Sequence, residues 1–170
     1  ALTKNNFKDG VRLVRKDDTA MSLFFAERAE DNETLIKERP FPFNESGFST
    51  GFASLANGGD LIFFASNRPG GFGGYDIYLS QFKDGTWSQP VNLGSEVNTS
   101  GNEISPFFSE EENFLFFASD FRTGLGGFDN FISERTGAIE FEEAMNMGIG
   151  VNSSSDDYFF TISPTDGLYY

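Results

Sequence analysis

The sequence has no cysteine and no histidine among its 170 residues. Without them the chain has no disulfides, no zinc site of the usual kind, and no Ser-His or Cys-His catalysis. The missing histidine also removes the side chain that ordinarily changes charge near neutral pH. The missing cysteine does not fix the compartment, because it shows only that stability does not depend on disulfides.

Basic residues and long apolar runs are also scarce. The chain has 12 basic and 26 acidic residues, for a net charge of −14. Nucleic acids and anionic lipids would be repelled by this charge. No apolar run approaches the roughly 20 residues of a membrane-spanning helix. We therefore expect no nucleic-acid partner and no direct insertion into a membrane. Residues 167–170 form a strand-like run that stops abruptly, so we expect the chain to be part of a longer protein.

Phenylalanine and glycine are abundant instead, with 22 and 19 residues. So much phenylalanine requires a large apolar interior, and so much glycine indicates many tight turns. Together they predict an all-β chain of many short strands.

An internal repeat of about 53 residues organises this composition. Leu61–Ser66 recurs as Phe114–Ser119, and the Gly-Gly-Tyr-Asp at 73–76 recurs as Gly-Gly-Phe-Asp at 126–129. A second block recurs at a spacing of 54, with Trp87 opposite Phe141. Residues 22–26 resemble a degenerate earlier copy, and residues 158–163 open a later one.

Each copy is expected to contain four strands. The first strand is predicted at 51–55, 104–108 and 158–162, and the second strand at 61–66 and 114–119. The third strand is predicted at 76–80 and 129–133, and the fourth strand near 86–90 and 139–144. Turn sequences at 57–60 and 164–167 join first to second strands. Four short strands per copy predict a β-propeller with blades of about 53 residues, of which roughly three are present. The predicted division is a degenerate first blade or lead-in at 1–50, blades at 51–103 and 104–157, and the start of a further blade at 158–170.

The phenylalanine pairs of the second strands support this prediction. Adjacent residues on a strand point to opposite faces. The pair at 63–64 and the pair at 116–117 are therefore apolar on both faces. A sheet stacked between two others requires this pattern.

The motifs at 63–78 and 87–94 resemble the WD-like (TolB-type) propeller repeats of bacterial envelope proteins. Their Gly-Gly-Phe-Gly-Gly-Tyr-Asp version is most similar to propellers of OmpA-family proteins, including the peptidoglycan-associated lipoproteins of the Bacteroidetes type IX secretion system. The resemblance is strong over 51–170 and weak over 1–50, and the third copy departs from it at 121–123. Such propellers have about six blades, so the chain would form about half of one.

The resemblance implies a non-catalytic protein–protein interaction scaffold in the periplasm, associated with the outer membrane. Its implied place is a secretion or envelope-anchoring complex. The expected partners are other envelope proteins or the remainder of its own propeller. The alternative is a glycan-binding or glycan-hydrolysing propeller, which would need two or three carboxylates that are not matched by the repeat.

The Gly-rich loops contain the candidate contact residues. Arg68 and Arg122 occupy almost the same loop position in successive copies, and each is expected to pair with a neighbouring acidic residue or to bind a carboxylate ligand. Phe72 and Leu125 lie at the loop tips, where they either contact a partner or pack on the next blade.

The residues that recur between copies are predicted to be structural, because a catalytic group is needed only once. The two aspartates are expected to accept backbone N–H bonds from their own loops, and the two asparagines to cap turns. These residues are Asp76, Asp129, Gly73, Gly74, Gly126, Gly127, Trp87, Asn98 and Asn152.

No cofactor and no metal site is predicted, and calcium is the one alternative. Carboxylate and carbonyl oxygens suit calcium, and Glu103, Asp156 and Asp157 lie in the links before first strands. We expect these three residues to form a solvated acidic link instead.

Overall fold

The computed structural model describes residues 2–4, 7–8, 11–12, 20–28, 35–163 and 167–169. Within these ranges the chain is all-β, as predicted, and contains antiparallel strands and one short 3₁₀ turn but no α-helix. A search of these ranges finds no helix with the length and hydropathy needed to cross a bilayer.

The strands are short and follow one another closely along the chain. In chain order they are β1 (Leu2–Lys4), β2 (Phe7–Lys8), β3 (Val11–Arg12), β4 (Ser22–Arg28), β5 (Leu35–Pro40), β6 (Thr50–Ala56), β7 (Leu61–Ser66), β8 (Asp76–Lys83), β9 (Thr86–Trp87), β10 (Val91–Asn92), β11 (Glu103–Ser109), β12 (Phe114–Ser119), β13 (Asp129–Glu134), β14 (Met145–Asn146), β15 (Thr161–Ser163) and β16 (Gly167–Tyr169).

Three larger sheets contain most of these strands. The first sheet has the order β1-β4-β5, the second has β6-β7-β8 followed by both β9 and β10, and the third has β11-β12-β13-β14. Two short hairpins, β2-β3 and β15-β16, complete the described pairing. Neighbouring strands run antiparallel throughout, and in the third sheet consecutive strands pair in chain order as a meander.

The second strand of each sheet lies at its centre, and the predicted bounds of β7 and β12 are confirmed. All six residues of β7 are buried. On one face Phe63 stacks on Phe108 of the third sheet, with ring centroids 5.1 Å apart. On the other face Phe64 packs edge-on against Phe41, at 5.2 Å. The strand is therefore buried from both sides, because alternate side chains enter two different cores.

The predicted fourth strands were wrong in their bounds. In place of one strand at 86–90, the chain pairs with β8 twice, through β9 and β10, and Gln89 and Pro90 lie between them. Proline has no N–H to donate to a ladder, which explains the break. In place of 139–144 there is an isolated bridge from Phe141 to Arg135, followed by β14.

The first strands contain an irregularity that the sequence did not predict. Pairing with the second strand shifts register between Gly51 and Ser54, and again between Ile104 and Phe107. The first residue within each shift has a positive φ, which is 49° at Phe52 and 53° at Ser105. These are β-bulges at equivalent positions of the two copies.

The last predicted first strand, at 158–162, was also wrong at its start. Phe159 has a φ of 63°, which interrupts the extended backbone, and β15 begins only at Thr161. The turn predicted at 164–167 falls largely outside the described residues. The turn at 57–60 is a short 3₁₀ segment over Asn57–Gly59.

We predict that Phe63→Ala lowers the free energy of unfolding by about 3–5 kcal/mol, because truncation leaves a cavity between two sheets. Urea unfolding followed by far-ultraviolet circular dichroism measures the change. The matched control is Phe121→Ala, because Phe121 is 63% exposed and its loss should change stability by less than about 0.5 kcal/mol. Equal losses in the two variants would contradict burial of Phe63 between sheets.

Candidate functional site

The loops between second and third strands pack against the links between sheets at one end of the structure. In the second sheet the Gly74 N–H donates to the Gly101 carbonyl at 2.7 Å, and the Glu103 N–H donates to the Tyr75 carbonyl at 2.7 Å. The Tyr75 N–H donates to Asn102 Oδ1 at 3.0 Å. Loop 67–75 and link 93–102 therefore form one hydrogen-bonded unit.

The third sheet repeats this unit one copy later. The Asp157 N–H donates to the Phe128 carbonyl at 2.8 Å, and the Phe128 N–H donates to Asp156 Oδ1 at 3.0 Å. Asp156 thus occupies the place of Asn102. The site is a repeated loop-and-link unit, which we call the loop end of the sheets.

Asp76 and Asp129 start the third strands and are buried, each with about 1% exposure. Asp76 accepts hydrogen bonds from the N–H groups of Phe72 at 2.7 Å and Gly73 at 3.2 Å. Asp129 accepts hydrogen bonds from the N–H groups of Leu125 at 2.9 Å and Gly126 at 3.1 Å. Each carboxylate therefore neutralises backbone donors of its own Gly-rich loop, and such charge-assisted bonds are strong.

The paired glycines allow the loops to lie against the links. A Cβ on Gly73 would lie within 3.0 Å of the carbonyl oxygens of Thr99 and Gly101, and a Cβ on Gly126 would lie equally close to that of Ser155. A Cβ on the next glycine of each loop would lie too close to a link side chain. At Gly74 this side chain is that of Asn102, and at Gly127 it is that of Asp156. Glycine is required here by close approach of two backbones.

Asn98 and Asn152 join the links to the third strands. Asn98 accepts from the Ile77 N–H at 2.7 Å and donates to the Ile77 carbonyl at 3.0 Å. Asn152 makes the same two bonds with Asn130, at 2.8 and 3.0 Å. The expectation that they cap local turns was wrong. Each side-chain amide instead bonds to both the N–H and the C=O of a third-strand residue more than 20 positions away, as a neighbouring strand would.

Arg68 is not paired with an acidic side chain in the part of the chain that the structure describes. Its guanidinium lies 5.0–5.2 Å from the ring centroids of Phe48, Phe64 and Tyr78. It donates to Ser66 Oγ at 3.2 Å. Burial lowers the pKa of Arg68 below its ordinary value. Cation–π contacts thus replace the predicted ion pair.

Arg122 lies at the corresponding point of the third sheet and binds backbone. Its Nη2 donates to the carbonyl of Glu96 at 2.7 Å, and more weakly to those of Ser95 and Val97 at 3.4 and 3.3 Å. These carbonyls belong to the link that precedes the sheet. Both arginines therefore serve packing within the loop end, and the predicted carboxylate pairing does not occur among the described groups.

Glu103 is fully buried, so the expectation of a solvated link was wrong for this residue. Its carboxylate accepts from the Thr99 N–H at 2.8 Å, from Thr99 Oγ1 at 2.6 Å and from Ser119 Oγ at 2.7 Å. Burial raises the pKa of Glu103, and this outweighs the hydrogen bonds and the charge of Arg122, which act in the opposite direction. The equivalent Asp157 is only partly buried and accepts from Ser153 at 2.6 Å.

No metal centre forms from these carboxylates. Among the described residues, no three acidic side chains come close enough together to hold a metal ion. The acidic groups Glu103, Asp156 and Asp157 each accept hydrogen bonds from neighbouring link or loop groups.

The apolar loop tips remain uncovered at this end. Phe72 is 52% exposed and Leu125 is 47% exposed. Phe121, which sequence reasoning did not single out, is 63% exposed, and its Cβ lies against Gly101 of the same link that Gly73 contacts. Three large apolar side chains thus project from the loops of the second and third sheets.

Comparison of the chain with protein-family models, with curated proteins and with solved structures found no match.

We predict that Gly126→Ala destabilises the chain by about 1–3 kcal/mol, because the added methyl group would overlap the Ser155 carbonyl and displace the link. Thermal or urea unfolding measures the loss. Gly150→Ala is the control, since nothing lies within 4 Å of a Cβ there. If Gly126→Ala is as stable as Gly150→Ala, the loop and link do not pack as described.

We further predict a pH dependence that belongs to Glu103. Because its folded-state pKa lies above the ordinary value of 4.5, the folded chain binds this proton more tightly than the unfolded chain. The contribution of Glu103 to stability therefore falls as pH rises from that ordinary value through the folded-state pKa.

The measurement is the free energy of unfolding of the wild type minus that of Glu103→Gln, at several values between about pH 4 and pH 7. The difference should decrease with rising pH. The same difference for Glu111→Gln, on an exposed hairpin, should not follow this course. A Glu103 difference that is flat or that rises with pH would contradict the prediction.

Proposed function

We propose that the three sheets are blades of a β-propeller and that the chain is a non-catalytic protein–protein interaction scaffold. Antiparallel sheets of five and four short strands in the second and third sheets support the propeller, as does the recurrence of the same loop, link and central strand after 53 or 54 residues. Packing of β11 on the second sheet through Phe108 and Phe63 supports face-to-face stacking of successive blades.

The observation that carries the scaffold proposal is the exposure of Phe72, Phe121 and Leu125 on loops that buried carboxylates hold through backbone N–H bonds. Loops fixed in this way present their apolar tips with little conformational freedom left to lose on binding. Binding residues are disproportionately carried on loops that a rigid scaffold positions. Aromatic residues are also enriched at protein–protein interfaces.

A non-catalytic role is favoured by the way the chain uses its carboxylates. Asp76, Asp129 and Glu103, the buried acidic residues, all accept hydrogen bonds from their own loops and links. Two of them recur in equivalent positions of successive sheets, as a structural residue would. A glycosidase needs a pair of carboxylates that a substrate can reach, flanking the scissile bond.

The proposed setting is the bacterial periplasm at the outer membrane, in a secretion or envelope-anchoring complex. This part of the proposal rests on the resemblance of the motifs at 63–78 and 87–94 to envelope-protein propellers. The net charge of −14 suits a soluble scaffold, because it opposes self-association.

The test compares the wild-type chain with a loop-tip variant in which Phe72, Phe121 and Leu125 are changed to Ser. Each immobilised chain is incubated with an envelope extract of the source bacterium, and retained proteins are quantified by mass spectrometry. We expect at least one protein to be retained by the wild type and reduced at least about tenfold by the variant, as loss of interface anchors predicts.

The matched control changes Leu55 and Ile139 to Ser, which are both 41% exposed and lie away from the loop tips. It should retain the partner, and both variants should keep the wild-type unfolding midpoint. Retention that is unchanged in the loop-tip variant would refute a partner at this end.

A further inference from the structure

A cleft opens between the second and third sheets, at the end of the strands opposite the loop end. It has a volume of about 540 Å³, within the roughly 300–1,000 Å³ of ligand pockets. The buried part of its lining is formed by Leu61, Leu79 and Phe108, which belong to the core between these sheets. Val91 and Ile139, which are 39% and 41% exposed, also line it. A molecule in the cleft would therefore meet apolar side chains that water can reach.

Arg135 is the one cationic residue among the described residues that line this cleft, and it is partly exposed. Its guanidinium lies over the ring of Phe108, 5.4 Å from the centroid. Its Nε donates to the Gly137 carbonyl at 2.9 Å, and its Nη2 donates to the Ala138 carbonyl. The ring and the two carbonyls hold the planar guanidinium in one orientation.

The second edge of this guanidinium remains available. Nε and Nη2 share the edge that bonds to the loop carbonyls, which leaves the two N–H groups of Nη1 and one of Nη2. Among the described residues Nη1 has no acceptor and Arg135 has no acidic partner, although the chain has 26 acidic residues. Two parallel N–H groups on one edge are the arrangement that binds a carboxylate bidentately.

Arg135 also departs from the repeat. Its equivalent in the second sheet is Phe82, 53 positions earlier. Each of the two pairs with an aromatic residue of the segment that follows, Phe82 with Trp87 and Arg135 with Phe141. Phe82 packs on Trp87, with ring centroids 5.2 Å apart. The repeated backbone therefore accepts an aromatic side chain at this position, and the cation needs a reason that is particular to this cleft.

We propose that the cleft binds a carboxylate that is attached to an apolar group. Arg135 bonds to the two carboxylate oxygens through its second edge, and the apolar group lies against Val91 and Ile139. The acidic lining residue, Glu110, is already engaged, because its carboxylate accepts the Asn57 N–H across the two sheets. Its charge opposes an anion in the cleft, and this gives the test a sign. Two sources offer the ligand chemistry, the C-terminal residue of a peptide and a free branched acid.

The test titrates the isotope-labelled full chain with four small molecules and follows its backbone amide shifts by NMR. N-acetyl-leucine and N-acetyl-leucinamide differ in the carboxylate, and we expect the acid to bind at least about 5-fold more tightly, because charge-assisted hydrogen bonds are the stronger ones. Isocaproate and acetate differ in the apolar group, and we expect isocaproate to bind at least about 10-fold more tightly. Equal binding within either pair would overturn the proposal.

Comparison of the two branched acids identifies the source of the carboxylate. N-acetyl-leucine carries the amide group of a C-terminal peptide residue, and isocaproate has the same branched chain without it. Tighter binding of N-acetyl-leucine supports the site with a peptide C-terminus as its ligand. Binding of isocaproate that is equal or tighter supports the site with a free acid as its ligand.

Variants of the lining test the role of Arg135. Arg135→Met should remove the preference for N-acetyl-leucine over its amide, and Arg135→Lys should keep part of it, since lysine retains the charge without the fork. Val91→Asp leaves the bonds of Arg135 in place and adds a negative charge to the lining, so it should also remove the preference. Glu110→Gln should raise the affinity for both acids about 2-fold, as loss of an exposed like charge predicts.

The matched control is Lys83→Gln, which removes a positive charge from an exposed residue of the second sheet that does not line the cleft. It should keep the wild-type preference, and every variant is checked for the wild-type unfolding midpoint. A preference that survives both Arg135→Met and Val91→Asp, or one that Lys83→Gln reduces as much, would overturn the proposal. The loop-tip variant should bind the acids as the wild type does, so the two proposals can fail separately.

Discussion

Burial of the central strands on both faces is the constraint on which the rest of the structure depends. β7 is buried along its whole length, with Phe63 facing the third sheet and Phe64 facing the first. A strand of this kind is stable only when a neighbouring sheet covers each face. The sheets must therefore stack, and the connections between them are confined to the two ends. The loops, links and turns take their positions from this stacking.

The loop end shows how backbone polar groups are satisfied under that constraint. The links pass close to the loops, and glycines at 73 and 126 leave no side chain in the way. Asn98 and Asn152 supply amides where a strand partner is missing, and the aspartates at 76 and 129 receive the loop N–H groups. Many backbone N–H and C=O groups of the loops and links thus find a partner inside the unit, as buried polar groups require.

The sequence predicted the central strands well because their pattern of apolar residues is local and recurs in both copies. The bounds of β7 and β12 follow from apolar residues on both faces followed by Ser. The fourth strands were predicted poorly, since Pro90 divides one and only a single bridge at Phe141 precedes the short β14.

The ion pairs expected for Arg68 and Arg122 were wrong for a different reason. Sequence spacing gives no information about which rings and carbonyls approach an arginine, such as the Phe48 ring on Arg68 and the Glu96 carbonyl on Arg122.

The bulges could not be predicted, because Phe52, Ser105 and Phe159 share no residue type that favours a positive φ. They are recognisable only once the copies are superposed, and the comparison then separates two kinds of residue. A residue that the fold requires keeps its type wherever the geometry recurs, as Asp76 and Asp129 do. A residue that changes type at constant geometry is not specified by the repeated backbone alone, and it either serves the same role, as Asp156 does in the place of Asn102, or a local one. Glu103, which corresponds to Thr50 and Asp157, and Ser105, which lies between two phenylalanines, are residues of this second kind. In a chain built from copies of one unit, specific function is therefore most informatively sought at positions where the backbone repeats and the side chain does not.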